Sequence, residues 1–168
     1  MSLDDGRIAR IYEKAERAFG FVPRCYEEIS FEPRVLERHH EVWETLADGP
    51  LTREEIFTVL VLVAVRLENA QQLECWRRFH ALRGLSGGFE LYLVAPELVS
   101  AELRDVNRTV RDFYENDGRF SEDLILNLFR VGRSRQWLHH VLFAIGFAAM
   151  NSHFSYLYEV AFDAEPSR

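Results

Sequence analysis

The sequence has 168 residues, 48% hydrophobic and 28% charged. That suits one globular domain able to bury about 70% of its unfolded surface, and it excludes a disordered, collagen-like or rod-like chain. Twenty Lys and Arg against 27 Asp and Glu leave a net charge of −7, whereas a nucleic-acid binder needs a basic stripe to displace counterions, so no DNA or RNA partner is expected.

The chain begins with an acidic, polar segment that lacks the basic start and apolar stretch of a secretory leader, which points to a cytoplasmic location. Arg7 to Phe19 carries Ile8, Ile11, Tyr12, Ala15 and Phe19 at helical spacing, and Gly20 follows as a stop. Pro23 opens a short helix to Ile29, and Pro33 opens a third that Gly49-Pro50 closes. Thr52-Arg53-Glu54-Glu55 reads as a capping box, in which hydroxyl and carboxylate satisfy the free N–H groups of a helix entry. Behind it, Ile56 to Val65 is apolar on every face except Thr58, the mark of a helix surrounded by others.

A break near Glu68-Asn69 precedes a helix to Leu82 that Gly84 ends. Gly87-Gly88 to Pro96 reads as a loop with a short helical turn, Phe89 to Val94 being the one alternative strand. Ser100, Ser121 and Ser134 then cap three helices, ending near Glu115, Gly132 and Tyr158. The longest apolar runs, Val59 to Val65 and Val141 to Met150, fall short of the ~20 residues that span a bilayer, so no membrane partner is expected. The expectation is an all-α chain, one compact domain over residues 1–168, with about seven or eight helices around the Ile56 and Val141 helices.

Chemistry-bearing residues concentrate in two places. At 100° per residue Asn69, Gln72, Leu73, Trp76 and His80 share one helix stripe, mixing amide, indole and imidazole groups that could line a small pocket; the alternative is that Trp76 is core and His80 a satisfied histidine. On the last helix His139, Leu142, Gly146, Met150, His153 and Leu157 share a face, with Asn151 and Ser152 beside it. The two histidines there are candidate ligand-binding or acid/base groups, while Gly146 marks close helix packing or a subunit contact. His39-His40 and His139-His140 are adjacent, and neighbours on a helix diverge too far to serve one site.

No HExxH, GxSxG, GxGxxG or Walker sequence occurs, and neither a metal nor a cofactor is called for. Cys75 lies near Arg77, Arg78 and His80, cations that lower a thiol pKa, although most single cysteines on a helix are packing residues. Cys25 and Cys75 stand far apart in sequence and form no Cys-x-x-Cys pair.

The Leu51-Thr52-Arg53-Glu54-Glu55 entry, the Gly84-Leu85-Ser86 exit and the Asp117-Gly118-Arg119-Phe120-Ser121 segment together resemble the carboxymuconolactone decarboxylase family of the alkylhydroperoxidase D-like superfamily. The resemblance runs along nearly the whole chain, from Phe19-Gly20-Phe21-Val22-Pro23 to Met150-Asn151, and implies an alkylhydroperoxidase D-like helical bundle. Peroxidase-type members carry a Glu and then Cys-x-x-Cys-x-x-x-His. In an ungapped register Phe57 stands at the Glu, Asn69 and Gln72 at the thiols, and Trp76 at the His; in the other register His80 is the family His, with Leu73 and Trp76 at the thiols. Neither register puts a thiol at a redox position.

The resemblance then implies a non-redox protein acting on a small organic acid or lactone, with His80 as the catalytic proton carrier and Asn69, Gln72, Trp76 and His153 as substrate-binding residues. The rivals are a catalytically degenerate binding or assembly protein of the same fold, and a one-cysteine peroxidase using Cys75. Thirteen Phe and two all-apolar helix segments offer more core-like surface than one small domain hides, so a homo-oligomer is expected, and the resemblance implies a dimer, trimer or hexamer.

Overall fold

The structure, a computed structural model, describes residues 3–164. Its described part is all-helical: α1 (Leu3–Phe19), α2 (Arg24–Ile29), α3 (Pro33–Ala47), α4 (Arg53–Arg66), α5 (Ala70–Arg83), α6 (Phe89–Val94), a 3-10 turn (Pro96–Leu98), α7 (Leu103–Glu115), α8 (Glu122–Arg130) and α9 (Arg135–Ala164). Phe89 to Val94, the one candidate strand, is a helix, because Tyr92 and Phe89 one turn apart both turn inward on Phe57.

The predicted stops and starts are built as the side chains require. Thr52 Oγ1 accepts from Glu55 N at 3.1 Å while Glu55 Oε2 accepts from Thr52 N at 2.8 Å, closing the capping box. Glu68 at φ +53° breaks the chain between α4 and α5, and Gly84 ends α5 at φ +58°, a conformation that costs a glycine little. Helix α7 starts at Leu103, later than Ser100 suggests, and no side chain caps it. Asp112 accepts from both the N–H and the hydroxyl of Ser121, at 2.8 and 2.6 Å, so it clamps the Asp117-Gly118-Arg119 turn against the start of α8.

Helix α4 is buried without interruption from Glu55 to Ala64 and packs on α5, α6, α7 and α9. Fully burying one of its large side chains contributes roughly 1.5–3 kcal/mol. Helix α9 behaves differently from the expected buried partner. It buries Trp137, Val141, Ala144, Ile145 and Ala148 against α4, α2 and α3, yet leaves Leu142, Phe143 and Met150 at 44%, 45% and 40% exposure. Its apolar run is long enough to cover two faces, and the fold uses only one.

Glu55 also anchors a second layer. Its Oε1 accepts from Arg133 Nη1 and from Trp137 Nε1, each at 3.0 Å, and Arg133 continues to Asp105 Oδ2 at 2.7 Å and Glu102 O at 3.0 Å. One buried carboxylate therefore ties the entry of α4 to the loop before α9 and to α7.

Candidate functional site

Helix α5 crosses the bundle with Gln72, Trp76 and Phe79 buried. From Gln72 outward, Cys75 lies about 60° to one side and His80 about 80° to the other, so the helix sends them to different neighbours. His80, at the edge of the predicted stripe, and Cys75, outside it, therefore flank Gln72 on opposite sides.

On the His80 side the ring is enclosed by Phe57, Phe89 and Tyr92, with centroids at 5.7, 6.0 and 5.6 Å. Its Nε2 is buried without a hydrogen-bond partner. A proton carrier needs its proton within hydrogen-bond reach of a reacting group, and the wall around His80 is aromatic. Trp76 fills the centre of the bundle at 2% exposure, beside Phe19 and Phe79. Asn69 caps α5, its Oδ1 accepting from Gln72 N and its Nδ2 donating to Ser152 O, each at 2.8 Å. His153 stands exposed on the outer side of α9.

On the other side, α5 borders a cavity of about 450 Å³ with Phe21, Val22, Arg24, Gln72, Cys75 and Ser155 among its walls. Of the five residues singled out above, Gln72 alone lines it. Gln72 Nε2 donates to Ser155 Oγ at 2.5 Å, and its Oε1 is buried without a hydrogen-bond partner among the described residues. Arg78 lies over the Phe21 ring at 4.4 Å, and among the described residues neither Arg24 nor Arg78 has a carboxylate partner. Glu74 also lines the cavity and leans on Arg77 at 3.7 Å. The cavity thus combines an apolar wall, two guanidinium groups without a carboxylate partner among the described residues, and two buried amide oxygens, of Gln71 and Gln72, that find no hydrogen-bond partner there.

Behind Gln72 lies a buried polar cluster that joins Asn151 to Cys25 and His39, a connection that no spacing in the sequence announces. Cys25 Sγ and His39 Nε2 both donate to Asn151 Oδ1, at 3.2 and 2.8 Å. Tyr26 bonds His40 Nδ1 at 3.1 Å and meets both histidine rings edge-on, so the adjacent pair shares one layer while its polar atoms go to different partners. Burial pushes His39 down to about 4, with the Asn151 bond pulling the other way, so the ring is neutral at pH 7. The signal in the sequence was Asn151-Ser152-x-x-Ser155, a polar interruption on the inward face that continues Ala144 and Ala148.

Both cysteines are poor nucleophiles here. Burial raises the Cys25 thiol well above its ordinary value, and raises Cys75 to about 12 against the opposing pull of Arg78. A thiolate at neutral pH is therefore scarce at either position. Among the described residues no group of three or more His, Cys, Asp or Glu side chains could hold a metal ion, and no helix is long and apolar enough to cross a membrane. No protein-family model matches the chain, and no curated protein matches it.

Proposed function

We propose that the chain is a divergent relative of the carboxymuconolactone decarboxylases that has given up catalysis and binds a small organic acid in the cavity beside Gln72. The observation that carries this reading is the division of α5: Trp76 occupies the bundle centre and the partly buried His80 packs among aromatic rings with its Nε2 turned inward, while Gln72, Arg24 and Arg78 line one cavity. The carboxylate sits against Arg24 and Arg78, and a hydroxyl or other donor on the ligand satisfies Gln72 Oε1 once that side chain, 2% exposed without ligand, turns toward the cavity. Assembly with copies of itself belongs to the same reading, supported by the exposed apolar residues of α9.

Calorimetric titration with acetate, 4-hydroxybenzoate and a γ-butyrolactone carboxylate tests it. At least one of the hydroxyl- or lactone-bearing acids is expected to bind more tightly than acetate. Arg24→Gln with Arg78→Gln is expected to weaken that binding about tenfold or more, the loss of about 1.4 kcal/mol or more. His80→Ala leaves it unchanged. Absence of binding at millimolar acid overturns the reading, and turnover of any of the three that His80→Ala abolishes replaces it with the acid/base mechanism.

A further inference from the structure

The outer face of α9 carries a second pattern, independent of the cavity. Exposed positions 139, 143, 146, 150, 153 and 157 step by four and three residues alternately, the 3.5-residue seam along which one helix packs on another in a left-handed coil. His139, Phe143, Gly146, Met150, His153 and Leu157 include no Asp, Glu, Lys or Arg, although 28% of the chain is charged. A helix face turned to water ordinarily carries charge, so this one is composed as a contact surface. Together with Leu142 and Tyr156, at 44% and 60% exposure, the seam offers several hundred Å² of apolar surface, the same order as the roughly 800 Å² per partner of a stable interface.

Gly146 decides the arrangement. A Cβ built at Gly146 would meet nothing within 4 Å, and an apolar groove of about 200 Å³ lies there, bounded also by Val42 of α3 and by Phe147. A parallel two-fold pairing would set Gly146 against its own copy and leave that groove empty. An antiparallel pairing in the seam's own register sets Met150 of one chain against Gly146 of the other, twice about the axis, and Phe143 against His153. The flexible thioether then fills the space that the glycine leaves.

We infer that a second copy of this chain packs its α9 antiparallel along the seam, with Met150 seated at Gly146 of the other copy. The inference rests on the assembly half of the function proposed above and names its face, symmetry and register. The interface is isologous, each contact occurring twice.

Cysteine cross-linking tests it, with copper-phenanthroline as the oxidant that takes the two electrons. In the antiparallel pairing the two copies of position 143 lie about ten residues, or about 15 Å, apart along the axis, too far for a disulfide that needs Cα atoms within about 7 Å. Phe143→Cys combined with His153→Cys is expected to give a covalent dimer, and neither single variant to do so. Gly146→Arg, whose Cβ would have no neighbour within 4 Å, is expected to sediment as a monomer with the unfolding midpoint of an intact helical fold. Cross-linking by a single variant overturns the antiparallel register. A sedimenting wild-type dimer that the double variant never cross-links overturns this face while leaving self-assembly standing, and a wild-type monomer at tens of micromolar removes both.

Discussion

Two buried polar centres hold this bundle, and they are built to different degrees of completion. At Glu55 every acceptor is used: Oε2 closes the capping box, and Oε1 takes Arg133 and Trp137. Around Asn151 the network is open at its edge, since Gln72 Oε1 and Ser152 Oγ are buried without partners among the described residues and the cavity begins at Gln72. A satisfied network in a low-dielectric interior rigidifies the fold, whereas an unsatisfied amide at the wall of a cavity costs stability until something supplies the missing bond. The first centre is architecture, and in the function proposed above the second is where a ligand supplies the missing bond.

The largest effect expected from breaking this contrast is at Glu55. Glu55→Ala removes one end of the capping box, strands the indole N–H of Trp137 and leaves Arg133 with Asp105 as its remaining carboxylate. Losing one partner of a buried pair costs about 3–5 kcal/mol, and Arg133, with 23% of its side chain exposed, places the loss toward the lower end. Urea unfolding measures it. A loss below about 1 kcal/mol would mean that Glu55 does not hold the bundle together.

His39 gives the next effect, in its pH dependence. Its folded pKa, about 4, lies below the ordinary value of 6.5 because the ring is buried. Between these two values the unfolded chain binds the extra proton, so stability is full above about pH 6.5 and falls as the pH drops toward 4. From pH 7 to pH 5 the loss attributable to His39 is about 2 kcal/mol. His40, lowered by the same cause, adds to it in the same direction. Urea titrations at the two pH values, on the wild type and on His39→Gln, separate this contribution from the carboxylates: the variant is expected to show a flatter profile.

How much of this could be read from the sequence follows from which interactions are local. The Thr52 capping box, the Gly84 stop, the Ser121 cap and the break at Asn69 depend on residues a few positions apart, and the all-helical fold is assembled from such signals. The division of α5 into an aromatic side and a cavity side is not local. Periodicity puts Gln72, Trp76 and His80 on one stripe, but the neighbours that meet the stripe, α6 on one flank and the α1–α2 junction on the other, decide what each residue does. Arg133 reaching Glu55, and Asn151 reaching Cys25 and His39, span 78 to 126 residues and leave no spacing to read.

The smallest effect on stability, and the most informative about function, is at Gln72. Gln72→Leu keeps the volume, removes the unpaired Oε1 and costs Ser155 Oγ its donor. Relief of one unsatisfied group offsets loss of one hydrogen bond, so stability is expected to stay within about 1 kcal/mol of the wild type. The same substitution removes the acceptor for a donor-bearing acid, and affinity for 4-hydroxybenzoate is expected to drop further than affinity for acetate, which has no hydroxyl to lose. Paired with Glu55→Ala, this variant tests the contrast itself: a polar group that serves the fold is missed by the fold, and one that serves a ligand is missed mainly by the ligand. Equal destabilisation by the two substitutions, with acid binding intact in Gln72→Leu, would make the Asn151 centre architectural like its counterpart.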